Sequence, residues 1–247
     1  MIALRSRAEI AAMRQAGRVV AEVFSGLEAL IKPGVTTAEL DRWAEALIRE
    51  RGGKPSFKGY HGFPGTLCTS LNEEVVHGIP GNRKLREGDL LSVDVGVCWE
   101  GWHGDAARTY PVGAVAEESL RLLEVTRAAL QLGIAQARSG NRLSDIGHAV
   151  QRHVEAAGFS VVRDFVGHGI GRELHEDPQV PNFGPPHQGV LLKPGMVLAI
   201  EPMVNAGQYG VHVLKNRWTV VTNDGSRSAH FEHTVAISES EAEVLTG

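Results

Sequence analysis

The sequence LLSVDVGVCWEGWHGD, residues 90–105, decides the fold that we predict for this chain. Its apolar residues alternate with small or polar ones, a period of two that is typical of a strand with one buried face. Glu100 and Gly101 then supply a hairpin turn, and we expect the second strand to open at Asp105. Asp94 lies in the middle of the first strand, where Asp is depleted. An acid there needs water or a cation, so Asp94 is a candidate functional residue.

The composition is that of an ordinary globular protein. Its 247 residues are 43% hydrophobic and 22% charged, which excludes the disordered and collagen-like classes. A net charge of −4 without a basic stripe predicts neither a nucleic-acid partner nor an acidic-membrane partner. Cys68 and Cys98 both lie in apolar runs, which fits a reducing compartment. No export signal or membrane span is recognisable, so we expect a cytoplasmic protein.

Hydrophobic periodicity predicts the same order of elements in two halves of the chain, helices first and strands afterwards. Capping boxes at Ser6–Glu9 and Thr36–Glu39 open two amphipathic helices in the first half. The second half begins with a helix over 117–138 and a further helix capped by Ser144. The segment 172–188 is rich in Pro, His and Asn and is interpreted as a functional loop. The predicted strands outside the hairpin cover residues 66–71, 74–79, 160–166, 196–204, 210–214, 219–222 and 230–237.

Two short matches between the halves indicate an internal duplication. REGDLLSVD, residues 86–94, aligns with KPGMVLAIE, residues 193–201, and each ends on an acid six residues after its Gly. The triplet HGI also occurs in both halves, at residues 77–79 and 168–170. Packing with approximate two-fold symmetry would bring both acidic strands to one shared cleft. We therefore expect one catalytic domain, residues 1–247, built from halves of about 6–113 and 114–240.

Four acids and one histidine form a candidate set of metal ligands. Four carboxylates in one cleft would repel by several kcal/mol at low effective dielectric, and divalent cations remove that repulsion. Carboxylates with one imidazole suit a pair of Mn, Fe, Co or Zn ions better than a thiolate zinc site. Two such ions about 3.5–4 Å apart, bridged by a water, give a nucleophilic hydroxide at neutral pH, which favours hydrolysis. The candidates are Asp94, Asp105, Glu201 and Glu232 on strand faces, and His168 in a Gly-flanked turn.

A series of motifs in this order resembles the type I methionine aminopeptidases, over about residues 6–237. The motifs are Asp94 with Asp105 at an eleven-residue interval, GHGIG at 167–171, IEPM at 200–203 and FEHT at 231–234. The resemblance implies the pita-bread α/β fold, in which two pseudo-symmetric helix–helix–sheet halves place a curved antiparallel sheet around a central dinuclear metal cleft. It also implies that Asp94 binds one metal, that His168 and Glu201 bind the other, and that Asp105 and Glu232 bridge both.

The resemblance assigns roles to two further histidines. His77 matches the family histidine that approaches the scissile nitrogen, and His175 matches the one that hydrogen-bonds the peptide carbonyl and the developing oxyanion. Both roles suit a neutral imidazole. A further hypothesis is that Glu201 accepts a proton from the attacking water in addition to binding metal. The remaining histidines are interpreted as structural or surface residues: His61, His103, His148, His153, His187, His212, His230 and His233.

The resemblance also implies a pocket for an unbranched methionine side chain. Tyr60 and Trp218 match residues that grip this side chain in the family. Phe57, Phe63 and Leu174 stand where a Cys, a Tyr and a Phe are familiar, which leaves the width of the pocket open. All three remain apolar or aromatic, so we expect methionine to fit through dispersion and sulfur–aromatic contact.

The activity implied is removal of the initiator methionine from nascent polypeptides whose second residue is small. One alternative is a relative of the same fold that cleaves Xaa-Pro bonds, although such relatives usually carry a large N-terminal domain. Another alternative is a binding protein that kept the fold and lost its metals, but such a protein has no physical reason to keep four mutually repelling acids. We expect a monomer that meets nascent chains, with transient proximity to the ribosome.

Overall fold

The order of elements is two helices followed by strands, and this order occurs twice. The structure, a computed structural model, describes residues 2–247. Its helices are α1 (Arg7–Leu30), α2 (Thr37–Glu50), α3 (Glu117–Gln136) and α4 (Leu143–Ala156), with a short 3₁₀ turn at Tyr60–Gly62. The strands of the first half are β1 (Lys54–Pro55), β2 (Leu67–Leu71), β3 (Glu74–Val76), β4 (Leu90–Trp99) and β5 (Trp102–Pro111). Those of the second half are β6 (Ser160–Val161), β7 (Gly167–Gly169), β8 (Glu176–Val180), β9 (Val197–Ile200), β10 (Met203–Asn205), β11 (Val211–Val213), β12 (Val220–Thr222), β13 (Ser228–His230), β14 (His233–Ala236) and β15 (Glu243–Val244).

The strands form antiparallel sheets that cross between the halves. The first half contributes a sheet of order β1-β4-β2 with β5 beside β4, and the second half contributes one of order β15-β14-β9-β7-β8. Two smaller sheets have the orders β13-β10-β6 and β11-β12-β3. Because β3 comes from the first half and β12 from the second, this last sheet links the two halves. A second link joins β5 to β14, where the Asp105 N–H donates to Thr234 Oγ1 over 3.0 Å.

Both helices of the first half begin at the predicted capping boxes. The Ser6 hydroxyl accepts from the Glu9 N–H over 3.3 Å, and the Glu9 carboxylate accepts from the Ser6 N–H over 2.7 Å. Thr36 and Glu39 repeat the exchange at the start of α2, over 3.2 and 2.7 Å. Each box satisfies two backbone N–H groups that the helix itself leaves free. These two predictions are confirmed.

The predicted cap of α4 is wrong by two residues. Arg142, not Ser144, is the residue that precedes the helix. The Asp145 carboxylate accepts from the Arg142 N–H over 2.8 Å, which fixes the helix start there. The Ser144 hydroxyl instead accepts from the Gln188 N–H over 2.7 Å and holds the following loop against the helix.

The central hairpin is longer than predicted, because its second strand opens at Trp102 rather than at Asp105. Glu100 and Gly101 form a two-residue turn with φ values of 50° and 78°, the positive values that a tight hairpin turn with right-handed twist requires. With so short a turn, pairing starts at once with Trp99 opposite Trp102.

The hairpin register explains the eleven-residue interval between its two acids. Asp94 pairs with Ala107, and Gly96 pairs with Asp105. Asp105 is therefore opposite a position two residues from Asp94, which puts both carboxylates on one face of the sheet as diagonal neighbours.

The two long strands predicted over 196–204 and 230–237 are each interrupted, and this prediction is wrong. Glu201–Pro202 separates β9 from β10, and Phe231–Glu232 separates β13 from β14. The interruptions face each other, since Ile200 pairs with His233 and Met203 pairs with His230. Pro202 has no N–H to give to a ladder, which accounts for the break on its strand. Glu201 and Glu232 consequently lie at the break and not on regular strand faces.

Several shorter assignments also differ from prediction. His168 lies in β7 and not in a turn, because a Cβ on Gly167 or Gly169 would lie 2.3 or 2.2 Å from a neighbouring carbonyl oxygen. These glycines thus permit close strand contact and do not mark a turn. Strand β8 lies inside the segment predicted to be a loop over 172–188, and β15 was not predicted. Strands β3 and β6 are shorter than predicted, ending at Val76 and Val161.

Each half has its own hydrophobic core. One core lies between α1, α2 and the hairpin and includes Phe24, Leu40 and Val95, all inaccessible to solvent. Another lies between α3, α4 and the second set of strands and includes Ile146 and Ile200. Smaller clusters combine residues of both halves, such as Val75 with Val162 and Met203. Within residues 2–247, none of the helices combines the length and apolar character needed to cross a bilayer.

Gly17, in the middle of α1, provides a test of the packing between this helix and the C-terminal segment. A Cβ there would lie 2.0 Å from the main-chain oxygen of Leu245. We therefore expect Gly17→Ala to lower the free energy of unfolding by about 1–3 kcal/mol, although the same change in a helix ordinarily stabilises by up to about 1 kcal/mol. Urea unfolding measures the difference.

Gly81→Ala is the matched control, because the nearest atom to its added Cβ lies 4.0 Å away. Its free energy of unfolding is expected to stay within about 0.5 kcal/mol of the parent value. A neutral or stabilised Gly17→Ala protein would contradict the packing described.

Candidate metal centre and substrate pocket

The five predicted metal ligands come together where the two halves meet. Asp94 lies in β4, Asp105 in β5 and His168 in β7, whereas Glu201 follows β9 and Glu232 lies between β13 and β14. Asp105, His168 and Glu232 are 3%, 7% and 2% exposed. All five line one cavity. Residues up to 138 positions apart in the chain thus share one site, from Asp94 to Glu232.

The candidate ligand atoms lie close enough together to share cations. The nearest ligand atoms of Asp105, His168 and Glu232 all lie within 4.8 Å of one another. His168 Nε2 lies 3.5 Å from Glu201 Oε1. Two ligands that each lie about 2.1 Å from one metal are about 3–3.5 Å apart at ordinary coordination angles.

Unpaired oxygen atoms give an independent indication of a metal site. Asp94 Oδ1, Asp105 Oδ1 and Glu232 Oε1 are buried without a hydrogen-bond partner in the part of the chain that the structure describes. Leaving such a group unpaired costs about 1–3 kcal/mol, and more for a charged one. A divalent cation supplies the missing partner, and oxygen with imidazole nitrogen suits Mn, Fe, Co and Zn. The residues present therefore fit a divalent metal centre.

The carboxylates disfavour their own ionised forms. Burial raises the pKa of Asp94 well above its usual range, and the charges of Asp105 and Glu201 add to the effect. Burial raises the pKa of Asp105 to about 7. The pKa values of Glu201 and Glu232 are also raised well above the usual range, by burial first and by Asp105 second. A perturbed cluster of this kind in a cleft is typical of a functional site.

His168 is set up as a neutral ligand. Its Nδ1 lies 2.9 Å from the Gly169 carbonyl oxygen, which accepts only, so Nδ1 carries the proton. This leaves the Nε2 lone pair directed to the cleft, the arrangement common among metal-binding histidines. Burial, with the neighbouring His175, lowers the pKa of His168 to about 3.

His77 and His175 lie on the same cavity as the candidate ligands. His77 has φ +59°, a conformation that is rare for a residue with a side chain and that is found preferentially at functional sites. Burial lowers the pKa of His77 to about 4, with His175 contributing. Rings of His168 and His175 are 4.3 Å apart between centroids. His175 also hydrogen-bonds Tyr60 through Nδ1 over 2.8 Å. Burial also lowers the pKa of His175, so both His77 and His175 favour their neutral forms.

The residue after His175 fixes the loop that carries it. Glu176 Oε1 accepts from the backbone N–H groups of Arg172 and Glu173, over 2.9 and 3.1 Å. The other oxygen of Glu176 pairs with the Arg5 guanidinium from the N-terminal segment. Arg5 and Arg172 lie over the Trp102 ring, with guanidinium carbons 5.2 and 3.9 Å from its centroid. These contacts restrict the loop beside the metal centre.

The five predicted pocket residues line the same cavity. Phe57, Phe63 and Leu174 are 7%, 3% and 2% exposed, while Tyr60 and Trp218 are half-buried. Phe63 and Trp218 meet edge to face, with centroids 5.1 Å apart. The cavity volume is about 150 Å³, the size of a cavity that takes up a molecule as large as benzene. One end of the cavity is therefore apolar and fits a single side chain, and the other end carries the carboxylates.

Two residues near the site were not singled out from the sequence. Cys68, interpreted as a buried hydrophobe, lines the cavity beside the acids, and burial with the Asp94 charge raises the pKa of its thiol. His230, interpreted as structural or surface, is 1% exposed and lies 3.4 Å from Glu201. Its position two residues before Glu232 is the signal that could have found it. His233 is structural as interpreted, with Nδ1 2.9 Å from the Thr246 hydroxyl.

Comparison with known proteins identifies the class. The chain matches the family model of metallopeptidase family M24 over residues 11–239 and belongs to that family. Methionine aminopeptidase 1 of Bacillus subtilis is 55% identical over 246 residues, which cover 100% of this chain and 99% of that protein. The chain is accordingly a member of the methionine aminopeptidases within family M24.

Solved structures of that group share the fold. The methionine aminopeptidase of Thermotoga maritima has a TM-score of 0.98 and 48% identity, covering 100% of this chain and 99% of that chain. The methionine aminopeptidase of Rickettsia prowazekii has a TM-score of 0.99 and 42% identity, covering 100% of both chains. The predicted pita-bread fold is confirmed.

The raised pKa of Asp105 predicts a substitution that stabilises the protein when no cation is bound. The folded chain raises this pKa from 3.8 to about 7, so between these values it retains a proton that the unfolded chain releases. The contribution of Asp105 to stability therefore falls as the pH rises through this range. With a chelator present, we expect Asp105→Asn to unfold several °C above the parent protein at about pH 8 and at nearly the same temperature at about pH 4.

Asp224→Asn is the control of opposite sign, because hydrogen bonds from Gln208 and Ser226 lower the pKa of Asp224 to about 2. This variant is expected to unfold below the parent protein at about pH 8. Excess Mn²⁺ should raise the thermal midpoint of the parent more than that of Asp105→Asn. An Asp105→Asn protein that is less stable than the parent in chelator at about pH 8 would contradict the raised pKa of Asp105.

Proposed function

We propose that this chain hydrolyses the first peptide bond of polypeptides that begin with methionine, using two divalent cations held at the cleft. One observation carries the proposal: the candidate ligands, two neutral histidines and an apolar pocket for one side chain line a single cavity. An aminopeptidase needs these three features side by side, because the side chain of the first residue must be held while its peptide bond is attacked.

The cations are assigned to five side chains. Asp94 would hold one cation, His168 and Glu201 would hold the other, and Asp105 and Glu232 would be shared by both. This division agrees with the short distances from His168 to Glu201 and within the group of Asp105, His168 and Glu232. When bound, such a pair neutralises the carboxylates and makes a water nucleophilic at neutral pH. Mn, Fe, Co and Zn all suit the donor set, and metal availability selects among them.

The apolar end of the cavity orients the substrate. Phe57, Phe63, Leu174 and Trp218 provide ring and branched aliphatic surface to an unbranched thioether side chain, which gains dispersion and sulfur–aromatic contact there. Tyr60 closes the pocket at the mouth. A side chain seated in this pocket places the first peptide bond toward the carboxylates at the other end. A short cavity favours a small second residue in the substrate.

Two neutral imidazoles act on the peptide bond itself. His175, restrained through Glu176, donates a hydrogen bond to the carbonyl oxygen on which negative charge develops. His77 faces the cavity from the strand β3 side and donates toward the scissile nitrogen. Glu201 takes a proton from the attacking water as a further part of the proposal.

The cellular setting follows from this activity. The substrate partner is a new polypeptide with N-terminal methionine, met transiently close to the ribosome. We propose a cytoplasmic location, which agrees with the low cysteine content of the sequence, and a monomer built as one catalytic domain, residues 1–247. Neither nucleic acid nor membrane is assigned as a partner.

The activity is tested with a Met-Gly-Ser peptide and protein loaded with Mn²⁺ or Co²⁺. We expect release of free methionine by the parent protein, and no turnover by Asp105→Ala or Glu232→Ala, because each change removes a side chain shared by both cations. Metal analysis of each variant accompanies the assay. Near-normal rates in either variant would discard the bridging assignment.

Asp164→Ala, which changes an exposed acid outside the cavity, should keep the parent rate. An Xaa-Pro peptide separates the alternative activity, since its cleavage in preference to Met-Gly-Ser would replace the proposed specificity. Failure to bind cations or to cleave either peptide would favour a binding protein that lacks catalysis.

His175 is tested separately from the metal ligands. His175→Ala should lower kcat by roughly 10²-fold, because it removes one donor to the developing oxyanion, while metal content stays at the parent value. His212→Ala, at an exposed histidine outside the cavity, is the control and should leave kcat unchanged. Loss of metal from His175→Ala would instead assign His175 as a ligand.

A further inference from the structure

His230 is a buried histidine that the proposed mechanism does not use. It is 1% exposed, and its Nε2 is buried without a well-formed hydrogen bond within residues 2–247. Glu201 Oε2 lies 3.4 Å from its Nε2. A buried imidazole N–H or lone pair without a partner carries a desolvation cost of about 1–3 kcal/mol. A hydrogen bond to the neighbouring carboxylate would offset this cost.

The Glu201 carboxylate lies between two imidazoles. Oε1 faces His168 Nε2 at 3.5 Å, and Oε2 faces His230 Nε2 at 3.4 Å. The oxygen on the His168 side is the one that can share a cation with this ligand. The oxygen on the other side faces His230, whereas the amide of Asn182 donates to the main-chain oxygen of Glu201 over 3.1 Å.

The backbone of His230 is held in place. Its N–H donates to Thr109 Oγ1 over 2.8 Å, and its carbonyl accepts from the same hydroxyl over 2.8 Å. It also pairs with Met203 across the ladder, directly beyond the break that contains Glu201. The imidazole therefore projects from a fixed strand end. Such rigidity suits a group that orients another side chain.

We propose that His230 is a positioning residue for the metal centre: its Nε2–H donates to Glu201 Oε2 and so turns Oε1 to the cation shared with His168. The present separation of 3.4 Å is longer than the roughly 2.7–3.2 Å of N–H···O hydrogen bonds, and a small side-chain adjustment would close the difference. The inference rests on the proposed assignment of Glu201 as a metal ligand.

Cation affinity is the quantity that this contact sets. Partners that hydrogen-bond a ligating carboxylate restrict it to one orientation, and their loss typically costs 10–100-fold in metal affinity or activity. A ring nitrogen of His230 lies within 4.8 Å of carboxylate oxygens of Glu201 and Glu232, but we assign it no bond to the cation and no contact with the substrate. Its removal should therefore weaken metal binding while the fold of the protein is retained.

The experiment measures Mn²⁺ affinity by calorimetry on the full chain after removal of bound metal. We expect His230→Leu, which has no donor, to bind Mn²⁺ about 10–100-fold more weakly than the parent. His230→Gln should stay within about threefold of the parent, since its amide N–H can donate to Oε2 from a similar reach. His153→Leu, the same substitution on helix α4, is the control and should leave the affinity unchanged. Thermal unfolding in chelator checks that each variant is folded.

A second measurement does not depend on the Leu variant folding. Long-range ¹H–¹⁵N spectra of the Zn²⁺-loaded parent, labelled at histidine nitrogens, report which ring nitrogen of His230 carries the proton. The His230→Gln spectrum identifies its signals by their loss. We expect the proton on Nε2. A proton on Nδ1 with Nε2 on the metal would make His230 a ligand and overturn the proposal.

The outcomes separate this inference from the proposed function. If the parent protein binds no divalent cation, the assignment of the metal centre itself fails. If the parent binds Mn²⁺ and His230→Leu binds it equally well, only the positioning role of His230 is overturned. Equal loss of affinity in His230→Leu and His230→Gln also overturns it, because the Gln side chain retains the donor.

Discussion

The mutual repulsion of four carboxylates in one buried cleft is the constraint on which the rest of the structure depends. Burial raises the pKa of Asp94, Asp105, Glu201 and Glu232, and neighbouring carboxylate charges raise those of Asp94, Glu201 and Glu232 further. A fold gains nothing from such a cluster unless cations neutralise it, since buried like charges cost several kcal/mol. The surrounding protein holds these acids in place. A hydrophobic core stabilises each half, and a hydrogen bond between β5 and β14 joins the two halves beside the acids.

The residues of the site lie partly on rigid strands and partly on restrained loops. The ligands lie on or directly beside paired strands, which fix their backbone positions to the accuracy that metal binding needs. The pocket aromatics and His175 lie on loops, which commonly carry binding and catalytic residues on a rigid scaffold. Glu176 and Arg5 compensate for this freedom by tying the His175 loop to the hairpin through Trp102. This division agrees with membership of the methionine aminopeptidases, because the candidate metal ligands and the substrate pocket have different functions.

Local irregularities in the sheets are where chemistry is concentrated. The break at Glu201–Pro202 faces the break at Phe231–Glu232, and both acids lie at these breaks. Interruptions of a ladder change the direction of a side chain, as β-bulges do, and they are common beside active sites. His230 ends the strand on one side of the same break, which is why it meets Glu201. His77 adds a further irregularity, with a left-handed backbone at the cavity wall.

The sequence by itself determined the helices, the central hairpin and the identity of the candidate ligands, because capping boxes, period-two alternation and acids in strand-like runs are local signals. It also indicated the duplication, since REGDLLSVD and KPGMVLAIE can be aligned without coordinates. Only the tertiary structure decided that β7 is a strand, that the strands predicted around Glu201 and Glu232 are interrupted, and that His230 lies beside Glu201. These features arise from contacts between residues far apart in the chain. Gly167 and Gly169 allow close approach of a neighbouring carbonyl group, and Pro202 lies opposite the second break. The partner of the His230 imidazole, Glu201, lies 29 residues away. Local periodicity carries no information about such partners.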